Sequence, residues 1–156
     1  MIRAKGRGWG PEQATGKPDA YENAVGGDFQ SAWASKTEDG QAEWLELTYD
    51  NVVTAIGVDV YETFKPGAVN KVTVFDGEGN EQTAWEGADP TPVGIAGGKG
   101  VSKIRFAKPV KTRRVRIHLD SAKVAGWNEI DAVGLVESET AVHWATSATA
   151  SSTYAE

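Results

Sequence analysis

Two stretches of the chain gather oxygen donors and aromatic rings in irregular sequence. Residues 13–35, QATGKPDAYENAVGGDFQSAWAS, carry Asp19, Glu22 and Asp28 among glycines and small residues. Residues 125–135, AGWNEIDAVGL, set Trp127, Asn128 and Glu129 directly before an apolar run. A hard cation such as Ca²⁺ takes six to eight oxygens, several of them often main-chain carbonyls. A cation joining the first loop to Glu129 is therefore chemically reasonable, and so is the plainer reading in which these acids cap turns and solubilise loops. Catalytic patterns are sparse. The two histidines, His118 and His143, have no HxH, HExxH or histidine–carboxylate motif around them, and no GxSxG occurs. GGKG at 97–100 lacks the rest of a phosphate-loop pattern and a helix to follow it. Non-enzymatic function is the expectation.

Composition narrows the classes further. The 156 residues suit one domain spanning 1–156, and 40% hydrophobic residues suffice for a packed core. A net charge of −6, with KTRRVR as the only basic block, disfavours nucleic acid and anionic membranes as partners. No apolar run is long enough to span a bilayer, so membrane insertion is not expected, and MIRAKGRG offers no apolar signal-peptide core. The absence of cysteine removes disulfides and thiolate sites and leaves the compartment open.

Candidate site residues need a scaffold, and the pattern that supplies one is period two. EWLELTYD (43–50) puts Leu45, Leu47 and Tyr49 on one face, and residues 53–62 alternate Ile56, Val58 and Val60. Further strands are expected near 70–76, 81–87, 101–107, 113–120 and 129–136. DGEGN at 76–80 reads as a hairpin turn. Seven or eight short strands without helical periodicity predict an all-β, antiparallel jelly-roll sandwich. Residues 1–42 are Gly- and Pro-rich and read as ordered loops with one helical turn near 11–14. The end of the chain, ATSATASSTY at 145–154, alternates small residues between Trp144 and Tyr154, which suits a terminal strand.

The run of motifs EWLEL, IGVDVYE, VTVFDGEGNEQTAWEG, RRVRIHLDS and GWNEIDAVGL, after WAS at 33–35, resembles the discoidin family in order and spacing over residues 9–136. This is the coagulation factor V/VIII type C, or galactose-binding-like, family, which includes many carbohydrate-binding modules. The resemblance implies a jelly roll of about eight strands with ligand-binding loops at one end. It also implies a structural Ca²⁺ held by the first long loop and Glu129, with Asp19 as a second ligand. One departure is the insertion before Trp33, TGKPDAY…SAW, where the family writes a shorter segment. Another is the tail: A-x-A-S-S-x-Y opens the domain in that family and here stands last. Circular permutation, a truncated second copy and a terminus normal to this subgroup all account for it.

The implied function is a binding module of a larger extracellular or cell-envelope protein that recognises a glycan. A protein-interaction or adhesion module is the alternative. A sugar site wants an aromatic plate with polar groups beside it. The candidates are the loop aromatics Trp9, Tyr21, Tyr61, Phe64 and Trp127, with Arg116 on a polar strand face; packing within the core or between loops is the competing role for each. Trp33, Trp44 and Trp85 are assigned to structure.

Overall fold

A computed structural model of the protein describes residues 8–19, 26–29, 31–36, 42–120, 123–124 and 127–154. The alternating segments become β1 (Trp33–Ala34), β2 (Ala42–Phe64), β3 (Val69–Phe75), β4 (Glu81–Glu86), β5 (Gly100–Asp120), β6 (Glu129–Ser138), β7 (Ala141–Trp144) and β8 (Ser147–Ala150). All pair antiparallel in the order β1-β6-β2-β5-β3-β4, with β7 on β6 and β8 on β2. A 3₁₀ turn, Pro11–Ala14, precedes the strands and is begun by a proline whose missing N–H costs nothing there. No described helix is long and apolar enough to cross a membrane.

Four of the expected strands merge into two. Segments 43–50 and 53–62 form the 23-residue β2, and 101–107 and 113–120 form the 21-residue β5. Register breaks at Thr48/Val53 and Ala55/Gly57 bend this ribbon where the sequence suggested a stop. The first half of β2 thereby lies with β8 and the second half of β5, which carries β3; its second half lies with the start of β5 and with β6. Two layers result, and Tyr49 O–H reaches through the core from one to donate to Val133 O in the other at 2.7 Å. Gly57 marks the bend. A Cβ there would fall 2.0 Å from Ile104 O, so the strands approach this closely only because none is present. Leu45, Leu47, Val58, Val60, Ile104 and Ile117 fill the space between the layers at 1% exposure or less. Each contributes on the order of 2 kcal/mol by leaving water.

The tail is extended. Its strand is shorter than the pattern suggested, 147–150 instead of 145–154, and runs against Leu45–Thr48 of β2. Beyond the strand, hydrogen bonds continue the attachment. Trp33 Nε1–H donates to Ser152 O (3.0 Å), Tyr154 N–H to Ala34 O (2.9 Å) and Thr153 O–H to Trp9 O (2.9 Å). Buried Glu43 accepts the hydroxyls of Ser151 and Ser152 through Oε1, both at 2.6 Å. Small side chains let this strand lie flat on β2 while hydroxyls serve the buried carboxylate. The tail therefore closes over the β1 and Trp9 segments.

Candidate functional site

Strand ends converge at one end of the sandwich. Phe64 closes β2 opposite Glu129, the first residue of β6, and Ala34 of β1 pairs with the same glutamate. β5 begins at Gly100 opposite Glu62. The corner 65–68, the connection 87–99 and the loop residues 26–29, 123–124 and 127–128 surround these ends. Among the described residues only Trp9 (φ 59°) and Lys65 (φ 50°) are non-glycines in the left-handed region, and both belong here. Such backbone costs on the order of 1 kcal/mol or more and concentrates at functional sites.

Three rings and two carboxyls form the first feature. Trp9 meets Tyr154 edge-on at 5.0 Å between centroids, and Trp127 meets Tyr154 likewise at 5.8 Å. Beneath them Trp9 Nε1–H donates to Asp28 Oδ1 at 2.7 Å, and Phe29 N–H donates to Glu129 Oε1 at 3.0 Å. Glu129 is buried, its Oε2 lacks a hydrogen-bond partner, and the Asp28 carboxyl lies beside it. Burial first, and then that like-charged neighbour, push the Glu129 pKa up to about 10. A cavity of about 50 Å³ opens between the rings and the two acids. It has room for an ion or a water and none for a sugar ring.

The second feature is an open cleft of about 430 Å³ beside the first, lined by Phe64, Lys65, Pro66, Val93 and Ile95 with glycine backbone from 26–27, 94 and 98. Asn128 Nδ2–H donates to Lys65 O at 2.8 Å, which fixes the corner to the residue before Glu129. Lys65 Nζ lies 5.5 Å from the Phe64 ring centroid. Gly67 permits the connection 87–99 to pack on the corner, since a Cβ there would come within 2.6 Å of Val93 Cγ2.

The structure thus brings together Trp9, Phe64, Trp127 and Glu129 of the expected site residues. Tyr61 lies elsewhere, with its ring 5.9 Å from that of Trp144. Arg116 is on the other layer, opposite Glu46: its Nη2–H and Nε–H donate to Glu46 Oε1 at 2.8 and 3.1 Å, and its guanidinium stacks 3.9 Å from the Trp44 ring. The acid found beside Glu129 is Asp28; among the described residues no group of three or more acids and histidines gathers to hold a metal, so Asp19 is not joined to them in such a set. Tyr21 lies outside the described residues. Sequence reasoning placed Asp28 in the right loop without singling it out. The role of Tyr154 was concealed in a tail whose neighbours only the fold reveals.

The chain is similar in structure to CBM32-1 from a family 31 glycoside hydrolase of Clostridium perfringens, at 15% identity and a TM-score of 0.32, over 87% of this chain and 89% of that one. No curated protein matches it. A family model does, over residues 1–148. By that match the chain belongs to the family described as Pappalysin-1, SD scarf domain, C-terminal.

Proposed function

We propose that the chain is a non-catalytic module that binds a glycan in the Phe64 cleft, with a calcium ion at Asp28 and Glu129 bracing the neighbouring loop. The observation that carries this reading is the cleft itself: a concave, mostly apolar site at the loop end, bordered by an aromatic ring and a lysine on strained backbone. An apolar sugar face stacks on such a ring while hydroxyls take the Lys65 ammonium and the glycine main chain. Calcium fits the smaller cavity because two carboxyls meet there and one of their oxygens is buried without a partner. Bound there, the ion would neutralise both acids and tie loop 26–29 to the start of β6. Binding rather than hydrolysis is favoured by the spacing of the acids. Asp28 and Glu129 touch, as do Glu62 and Asp89, whereas glycosidase carboxyls stand roughly 5–9.5 Å apart across the scissile bond. By the discoidin resemblance, the module works outside the cell as part of a larger protein.

A glycan array probed with and without chelator tests the reading. Phe64→Ala is expected to abolish the signal on any sugar that binds, and chelation to weaken it. Failure to bind any glycan sinks it. The second reading, a protein-binding module, is favoured by the apolar wall at Val93, which is 53% exposed, and by its neighbour Ile95. An apolar side chain of a partner would fill the same cleft.

A further inference from the structure

The cleft wall is held by a cluster of oxygens that contains too few hydrogens. Ser102 Oγ, on β5, touches Glu62 Oε2 of β2, Asp89 Oδ1 at 2.5 Å and Thr91 Oγ1 at 2.8 Å, the last two from the connection 87–99. Three oxygen–oxygen contacts at hydrogen-bond distance require three protons. The hydroxyls of Ser102 and Thr91 supply two. The third belongs to a carboxyl, so Glu62 and Asp89 between them hold one proton. A metal ion does not substitute for it, since oxygens sharing a Mg²⁺ or Ca²⁺ stay roughly 3 Å apart or more.

The other contacts show what this proton holds. Asp89 also accepts Val69 N–H at 3.0 Å and Thr91 N–H at 2.8 Å, and Glu62 Oε1 accepts Gly67 N–H at 3.3 Å. One cluster thereby clamps the connection 87–99 to the corner 65–68, and both segments line the cleft. The groups facing Glu62 are Asp89 from the connection, Ser102 from β5 and the Gly67 N–H from the corner. Among the described residues no cation pairs with either carboxyl. Glu62 is 2% exposed, and burial, then the Asp89 charge, raise its pKa well above the ordinary carboxylate range.

We propose that Glu62, Ser102 and Asp89 form a one-proton latch that keeps the connection 87–99 docked on the corner and so holds the cleft in its binding shape. With the proton present, a carboxyl donates where two carboxylates would repel. Once it leaves, the buried Glu62 carboxylate faces the half-buried Asp89 carboxylate, and Asp89 withdraws, carrying Val93 and Ile95 with it. The role in ligand binding rests on the function proposed above; the latch itself does not.

The test follows the full-length protein without ligand, by ¹³C-carboxyl NMR titration and amide hydrogen exchange in parallel. Glu62 is expected to titrate far above an ordinary glutamate. Protection in 87–99 is expected to fall at least tenfold through that midpoint, while that of β5 beyond residue 113 stays level. Glu62→Gln, whose amide donates to Asp89 at every pH, is expected to keep 87–99 protected throughout. Asp89→Asn is a second variant and is expected to lower the Glu62 midpoint. A Glu62 that titrates near its ordinary value, or an 87–99 segment whose protection ignores the Glu62 midpoint, overturns the latch. Because no ligand is present, these outcomes are independent of whether the cleft takes a glycan. If it does, its affinity should fall through the same midpoint in the native chain and not in Glu62→Gln.

Discussion

Glu129→Gln provides the most direct test of the paired acids beneath the aromatic cluster. With metal removed by chelator, the folded chain keeps a proton on Glu129 up to a pKa of about 10, whereas the unfolded chain releases it near the ordinary 4.5. Between those values the native state binds more protons than the unfolded one, so stability falls as pH rises, by about 1.4 kcal/mol per unit. From pH 4.5 to pH 7 that amounts to about 3 kcal/mol. Glutamine retains the acceptor for Phe29 N–H and presents an amide to Asp28 with no proton to hold. The chelated variant should therefore match the native chain near pH 4.5 and exceed it by up to about 3 kcal/mol at pH 7. For a chain of this size that corresponds to roughly 6–12 °C in Tm. Added Ca²⁺ should reverse the order, raising the Tm of the native chain and leaving the variant unmoved, because an ion that binds only the folded state stabilises it by mass action. Thermal melts from pH 4.5 to 9, with chelator and with millimolar Ca²⁺, read out both effects. Coincident chelated melts at every pH would refute the buried-proton argument, and a native chain indifferent to Ca²⁺ would refute the cation.

Three other perturbations probe the frame. Removing residues 151–156 strips buried Glu43 of both hydroxyl donors and Trp33 of its acceptor; a loss of roughly 3 kcal/mol or more is expected by urea unfolding. Gly57→Ala forces a Cβ against Ile104 O at the bend and should cost about 1–3 kcal/mol, visible as a lower denaturation midpoint. Tyr154→Ala deletes both edge-on ring contacts at the site and should cost about 1–2 kcal/mol, with altered Trp fluorescence from Trp9 and Trp127.

Period two made the all-β class and most strand positions legible, since Leu45, Leu47 and Tyr49 or Val115, Ile117 and Leu119 can share a buried face only in extended backbone. Strand length was not legible. A bulge at Ala55/Gly57 interrupts the alternation as a loop would, and only pairing with Ile104 and Arg105 distinguishes the two. The tail was readable as a strand from its alternation. Its place on β2 was not, because Ala148 and Ala150 could pack flat on any neighbour.

The site was less legible, for reasons that lie in how it is built. Sequence patterns register neighbours on one strand, but both acid pairs here join distant segments. Glu129 meets the 28–29 loop across a separation of 100 residues, and Glu62 meets Ser102 across 40. Each acid taken alone resembles a solvated strand or turn residue; burial becomes evident only when β2, β5 and β6 end at the same level. A fold selected for stability alone would replace such pairs with apolar residues, because two carboxyls in contact cost more than they return. This end of the sandwich also holds the two strained non-glycine residues, Trp9 and Lys65. Strained backbone and paired acids thus gather at this end, while in the 76–80 turn Asp76 accepts the N–H groups of its own loop. Such a concentration of paired acids and strained backbone suits the binding role proposed above, since a proton, an ion or a ligand can relieve there what the protein alone leaves frustrated.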